Sequence, residues 1–158
     1  MRIVLICLLL VSNLAFGCAV LKPGAGYSLE DLIDKSETIV LVQLESKETN
    51  EHGDLISFLK VVDTVKGEPA SRYEFWTIED KHENASFLDH NDAGFWFNDI
   101  GRSPWYCCVC GPDHTFADGQ TYLYFPDLLG AMKSAEIIKT QEDRWLKFVK
   151  RRVSESDS

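Results

Sequence analysis

The chain alternates between short apolar runs and polar punctuation, and the period of the runs changes along its length. Ser28-Leu29-Glu30-Asp31 opens a helix: the Ser28 hydroxyl can cap exposed amides, and Leu29, Leu32 and Ile33 fall on one face. The pattern predicts a short helix over 28–35. Residues 38–47 (TIVLVQLESK) begin almost wholly apolar and β-branched, which predicts a strand covered on both faces before it turns polar. Residues 49–54 are turn chemistry. A second strand follows over 55–65, with Ile56, Phe58, Val61 and Val65 as core candidates, and Lys66-Gly67-Glu68-Pro69 ends it. In 73–78 the alternation is strict, with Tyr73, Phe75 and Thr77 on one side and Glu74, Trp76 and Ile78 on the other. Three strands joined by short polar turns predict an antiparallel meander.

The second half is less regular. Residues 79–93 are polar and charged and read as a long excursion outside the core. Asp80, His82, Asp89, His90 and Asp92 fall within it, but lack the defined loop spacing of an oxygen-ligand cation site, so a solvated loop is the reading taken. Residues 94–106 gather Phe95, Trp96, Phe97, Trp105 and Tyr106 among Gly, Asn, Asp and Pro. Such a cluster serves either as an exposed aromatic patch for a partner or as a plug over the core. Asp118-Gly119 leads into a strand over 120–126, and 135–139 offers a last short one. Thr140-Gln141-Glu142-Asp143 precedes an amphipathic helix over 144–153, with Trp145, Phe148, Val149 and Val153 on one stripe. Lys147, Lys150, Arg151 and Arg152 are expected to complement its C-terminal dipole, and 154–158 to be a frayed tail.

The N-terminus has a different signature. Met1-Arg2 precedes an uncharged, mostly apolar run over 3–16, and Ala15-Phe16-Gly17 places small residues at the third and first positions before a cut. This predicts a signal peptide over 1–17 and export of a single domain over 18–153. The apolar run is shorter than the ~20 residues a membrane span needs.

Export changes the meaning of the cysteines. Cys18, Cys107, Cys108 and Cys110 would remain after cleavage and meet an oxidising compartment, so all four are disulfide candidates. Pairing the neighbours Cys107 and Cys108 would strain the backbone. A bridge from Cys18 to Cys107 or Cys108, or a local bridge across Cys107-x-x-Cys110, stays open. A redox pair would need a helix N-terminus behind it, where Gly111-Pro112-Asp113 reads as a turn. Zinc ligation with His114 lacks a second ligand pair. The expectation is therefore a structural disulfide, with no metal and no cofactor.

Leu14-Ala15-Phe16-Gly17-Cys18 resembles the lipobox of bacterial lipoproteins, which implies lipidation of Cys18 and a membrane anchor through that lipid alone. Ordinary cleavage, leaving a secreted protein, is the competing reading. A lipidated Cys18 could not pair, and three thiols would remain.

Charge narrows the partners. With 25 acidic and 16 basic residues the net charge is −9, which disfavours phosphate backbones and hence nucleic acid. No Gly-x-Ser-x-Gly, phosphate-cradling Gly-rich loop or His-Glu-x-x-His occurs, so a non-catalytic role is expected.

A cysteine opening the mature chain, then ETIVLVQL, VVDTVKG, YEFWT, Cys110-Gly111 and GQTYLYF, in that order, resembles the tissue inhibitors of metalloproteinases and the wider netrin-like group over about 18–126. The resemblance implies a mainly β domain: a five-stranded OB-like Greek-key barrel with one short N-terminal helix and one C-terminal helix. It implies a binding or envelope-structural module that meets a protein partner or small ligand at the cell surface. It also implies an alternative, a metalloprotease inhibitor that chelates the target's zinc through the free amine of Cys18. The inhibitors begin Cys-x-Cys, and Cys18-Ala19-Val20 departs from that pattern.

Overall fold

A computed structural model describes residues 27–77, 89–97, 100–102, 105–106, 111–112 and 116–156, with backbone alone at 77, 105–106 and 111–112. Residues 1–17, Cys18, Asp80, His82, Cys107, Cys108, Cys110 and His114 lie outside the described residues.

Helix α1 (Leu29–Lys35) begins where the sequence places it. The Ser28 hydroxyl accepts a hydrogen bond from the Asp31 amide at 3.0 Å, and Leu29, Leu32 and Ile33 are buried. Its far end is held by a cation: Lys66 Nζ donates to the carbonyls of Ile33 and Asp34 at 2.9 and 3.1 Å. Ser28→Ala removes the N-terminal cap and is expected to cost about 1 kcal/mol in urea unfolding.

The body of the domain is one antiparallel sheet. Strands β1 (Ile39–Thr49), β2 (Leu55–Lys66) and β3 (Arg72–Thr77) form the expected meander. After a two-residue ribbon, β4 (Trp105–Tyr106) with β5 (Gly111–Pro112), come β6 (Thr121–Tyr124) and β7 (Ala135–Ile137). The chain returns to lay β6 against β1, giving the order β3-β2-β1-β6-β7. The sheet is open. Its edges are β3 and β7, and no ladder joins them among the described residues. The fold is therefore mainly β with two helices, and its five main strands form one open antiparallel sheet. Both edge strands are short, six and three residues.

Both faces of β1 are covered, as its apolar first half requires. Ile39 and Leu41 join Leu123, Phe125 and the helices in one core, while Val40 and Val42 join Leu59, Phe75, Phe116, Tyr122 and Tyr124 in another. Leu59 is fully buried, whereas Ile56, Val61 and Val65 are only half-buried. The β1–β2 register shifts three times, leaving Val62 and Val65 as extra residues on β2 and Glu45 as one on β1. Leu59 and Val61 therefore face one core while Val65, past the irregularity at Val62, faces the other.

Helix α2 (Arg144–Ser156) lies across the first core through Trp145, Leu146, Val149 and Val153. It runs past Val153, so Ser154–Ser156 are helical and not a frayed tail. The four basic residues consequently sit along the helix body rather than at its end. Each meets a carboxylate: Lys147 with Glu142, Lys150 with Asp63 at 3.9 Å, Arg151 with Glu155 at 3.8 Å and Arg152 with Asp34 at 2.6 Å. Among the described residues no helix is long and apolar enough to cross a membrane.

Candidate functional site

The segment carrying His90 and Phe95 reaches the core through tight local turns. Asp89 accepts from the Asn91 amide at 2.9 Å, and Asp92 accepts from the Gly94 amide at 2.8 Å, starting a 3₁₀ turn over Ala93–Trp96. These two carboxylates of the proposed acidic loop are thus spent on backbone amides. The turn drives Phe95 into the helix-side core, where it is fully buried against His90, Trp96 and Trp145. Trp96 is half-buried, packs on Trp145 and Phe148, and donates its indole N–H to the His90 carbonyl at 3.0 Å. Phe97 is 62 % exposed. The side chains of Trp105 and Tyr106 lie outside what is described, though their strand, β4, pairs with β5.

His90 itself is only 6 % exposed, which corrects the expectation that this stretch stays outside the core. Its two ring nitrogens face two carboxylates. Nδ1 lies 2.8 Å from both Asp143 oxygens, and Nε2 lies 3.7 Å from Glu136 Oε2. Burial alone would push the imidazole pKa down. The hydrogen bond to Asp143 and the pairing with Glu136 outweigh it and lift the group from 6.5 to about 9. Burial likewise works to raise Asp143, and the His90 bond with the amides of Leu146 and Trp145 holds it below the usual carboxylate value.

Each carboxylate is fixed by a second duty. Asp143 accepts from the Trp145 and Leu146 amides at 2.9 and 3.2 Å, so it is the cap of α2, a role the sequence assigned to the Thr140–Asp143 stretch as a whole. Glu136 sits on β7 with its other oxygen accepting from the Arg102 amide. Alternation on β7 turns Ala135 and Ile137 toward the second core, which leaves Glu136, 1 % exposed, on the helix side.

The neighbouring stretch is sewn on in the same way. The Lys133 amide donates to the Arg102 carbonyl at 2.7 Å, and Lys133 Nζ donates to the Phe97 carbonyl at 2.5 Å and lies 5.2 Å over the Phe95 ring. Lys133 is the one non-glycine residue with a left-handed backbone among those described, at φ 65°. Arg102, Lys133 and Glu136 are all buried. Residues 89–97 and 100–102 therefore attach to β7 and α2 through charged side chains and the buried Phe95 ring, with no strand ladder among the described residues.

Comparison with protein-family models and with curated proteins finds no match to this chain.

A cleft of about 300 Å³ opens beside His90, between Asp89, Ile137, Thr140, Asp143 and Arg144. Its rim mixes both charge signs. The carboxylates approach His90 from opposite ring nitrogens and do not converge on a point. Consistent with that, no group of three His, Cys, Asp or Glu among the described residues is placed to hold a metal ion. Chemically the arrangement is a buried imidazole between two carboxylates, hydrogen-bonded through Nδ1 to Asp143 and with Nε2 3.7 Å from Glu136.

Sequence reasoning missed Glu136, Lys133 and Arg102. The available signal was Glu136 itself, a carboxylate in the run Ala135-Glu136-Ile137-Ile138, within a strand of a sheet covered on both faces.

Proposed function

We propose that the chain is an exported, non-catalytic binding or envelope-structural module of netrin-like, OB type, anchored to a membrane when Cys18 is acylated and secreted when it is not. The observation that supports the architecture is the order of the five main strands. Counted along the chain without the small ribbon, the sheet runs 3-2-1-4-5: a meander, then a Greek-key return that lays the fourth strand beside the first. Bringing β3 and β7 together would close this order into a five-stranded barrel of the kind that presents a curved strand face and loops to ligands. The export leader and the acidic surface support a protein partner or small ligand at the cell surface rather than nucleic acid.

Intact mass of the chain expressed in an exporting host tests this. The expected product begins at Cys18. An acyl adduct on that residue assigns an anchored module and removes zinc chelation by its amine, since an amide nitrogen has no lone pair to give. An unmodified amine with two disulfides assigns a secreted module and leaves the inhibitor mechanism standing. A product that retains Met1 overturns export and both readings built on it.

A further inference from the structure

We propose that His90 is a protonation-dependent latch: its imidazolium holds residues 89–96 against β7 and the start of α2, and loss of the proton frees that segment with Trp96. This stands independently of the export reading.

The geometry calls for two N–H groups. Asp143 faces Nδ1 and Glu136 faces Nε2, and a neutral imidazole carries only one N–H. Deprotonation would set a ring lone pair against one of the carboxylates. Neither can turn away without a second loss. Asp143 is tied to the first amides of α2, and Glu136 to the Arg102 amide. An unpaired charge at a site this enclosed is costly, so the segment that brings His90 is the part that gives.

The other charged groups around the ring do not replace it. Asp89, on the same segment, is bound to Asn91. Lys139, Glu142 and Arg144 line the open cleft, where Glu142 pairs with Lys147 and Arg144 reaches the Asn91 carbonyl at 3.4 Å. Lys133 fastens Phe97 and Arg102 through bonds in which His90 takes no part. The latch therefore acts on 89–96. Its release would bare Trp96, whose indole is bonded to the His90 carbonyl and packed on Trp145.

The sign follows from the raised pKa. The imidazole's contribution is complete below its ordinary 6.5 and is lost as pH rises through about 9. Amide hydrogen exchange on the full chain, corrected for the intrinsic pH dependence, reads it directly. Protection of the 91–96 amides is expected to fall about tenfold per pH unit across that window while β1 and β2 hold. In His90→Gln the same amides should show no pH dependence, and in Glu136→Gln the loss should begin at the same pH but be complete at lower pH, with a smaller total change. Imidazole ¹⁵N shifts of the unaltered protein supply a test that needs no variant: both nitrogens should be protonated at neutral pH. A neutral His90 tautomer at neutral pH, flat protection in the unaltered chain, or simultaneous loss of protection throughout the sheet would overturn the proposal.

Discussion

Trp145→Ala will cost about 3–5 kcal/mol of folding stability, the range for truncating a large buried aromatic. The indole is fully buried at the centre of the helix-side core. Phe95 and Trp96 meet it edge-on at 5.7 and 6.2 Å, Phe148 stacks on it at 5.7 Å and Phe125 lies tilted at 6.3 Å. A void there would touch the sheet, the helix and the segment carrying His90 at once. Trp145→Phe should cost markedly less. It leaves a smaller void and removes an indole N–H that finds no acceptor among the described residues. Urea unfolding of the two variants checks this. Equal losses would mean that the ring edge, and not the volume, is what matters.

The second large effect comes from a residue with no side chain. Gly67 closes the turn after β2 at φ +75°, and a Cβ there would lie 2.2 Å from the Glu37 carbonyl oxygen. Gly67→Ala therefore carries two penalties: roughly 1–3 kcal/mol for a left-handed backbone and about as much again for the overlap. Gly53 separates them. Its φ is +86°, yet nothing lies within 4 Å of the Cβ it would gain. Gly53→Ala should show the backbone penalty alone, and the gap between the two unfolding midpoints should report the backbone crowding at Glu37. Equal midpoint shifts would show that the chain entering β1 moves aside freely.

Gly67 also shows what the sequence could and could not convey. Lys66-Gly67-Glu68-Pro69 reads as a strand end from composition alone, and so it is. That Glu37 crosses within touching distance is invisible, because the two positions are far apart along the chain. The same division holds elsewhere. The cap of α1, the doubly covered first half of β1, the strict alternation of β3 and the stripe of α2 are local patterns, and each was legible. The inward face of β2 was not, because the extra residues Val62 and Val65 break the parity on which a strand reading depends. The candidate site was the least legible part. Asp89, His90 and Asp92 lie in a polar run that reads as solvated, and the run is polar because its partners are charged. His90 is buried by Glu136 and Asp143, 46 and 53 positions further on, which no local period can announce. Basic residues meant for the end of α2 fall in its body for a simpler reason: Ser154 and Ser156 continue the helix, each hydroxyl bonding back to the carbonyl of Arg151 or Arg152.

The doubly covered strand at the centre of the sheet has an effect on how substitutions combine. Val40 and Leu41 are joined by a peptide bond, yet they belong to separate apolar compartments with different neighbours. A change at one is felt through Phe75 and Tyr124, a change at the other through Leu123 and Trp145. Successive residues can thus vary almost independently, while positions far apart in the chain must vary together.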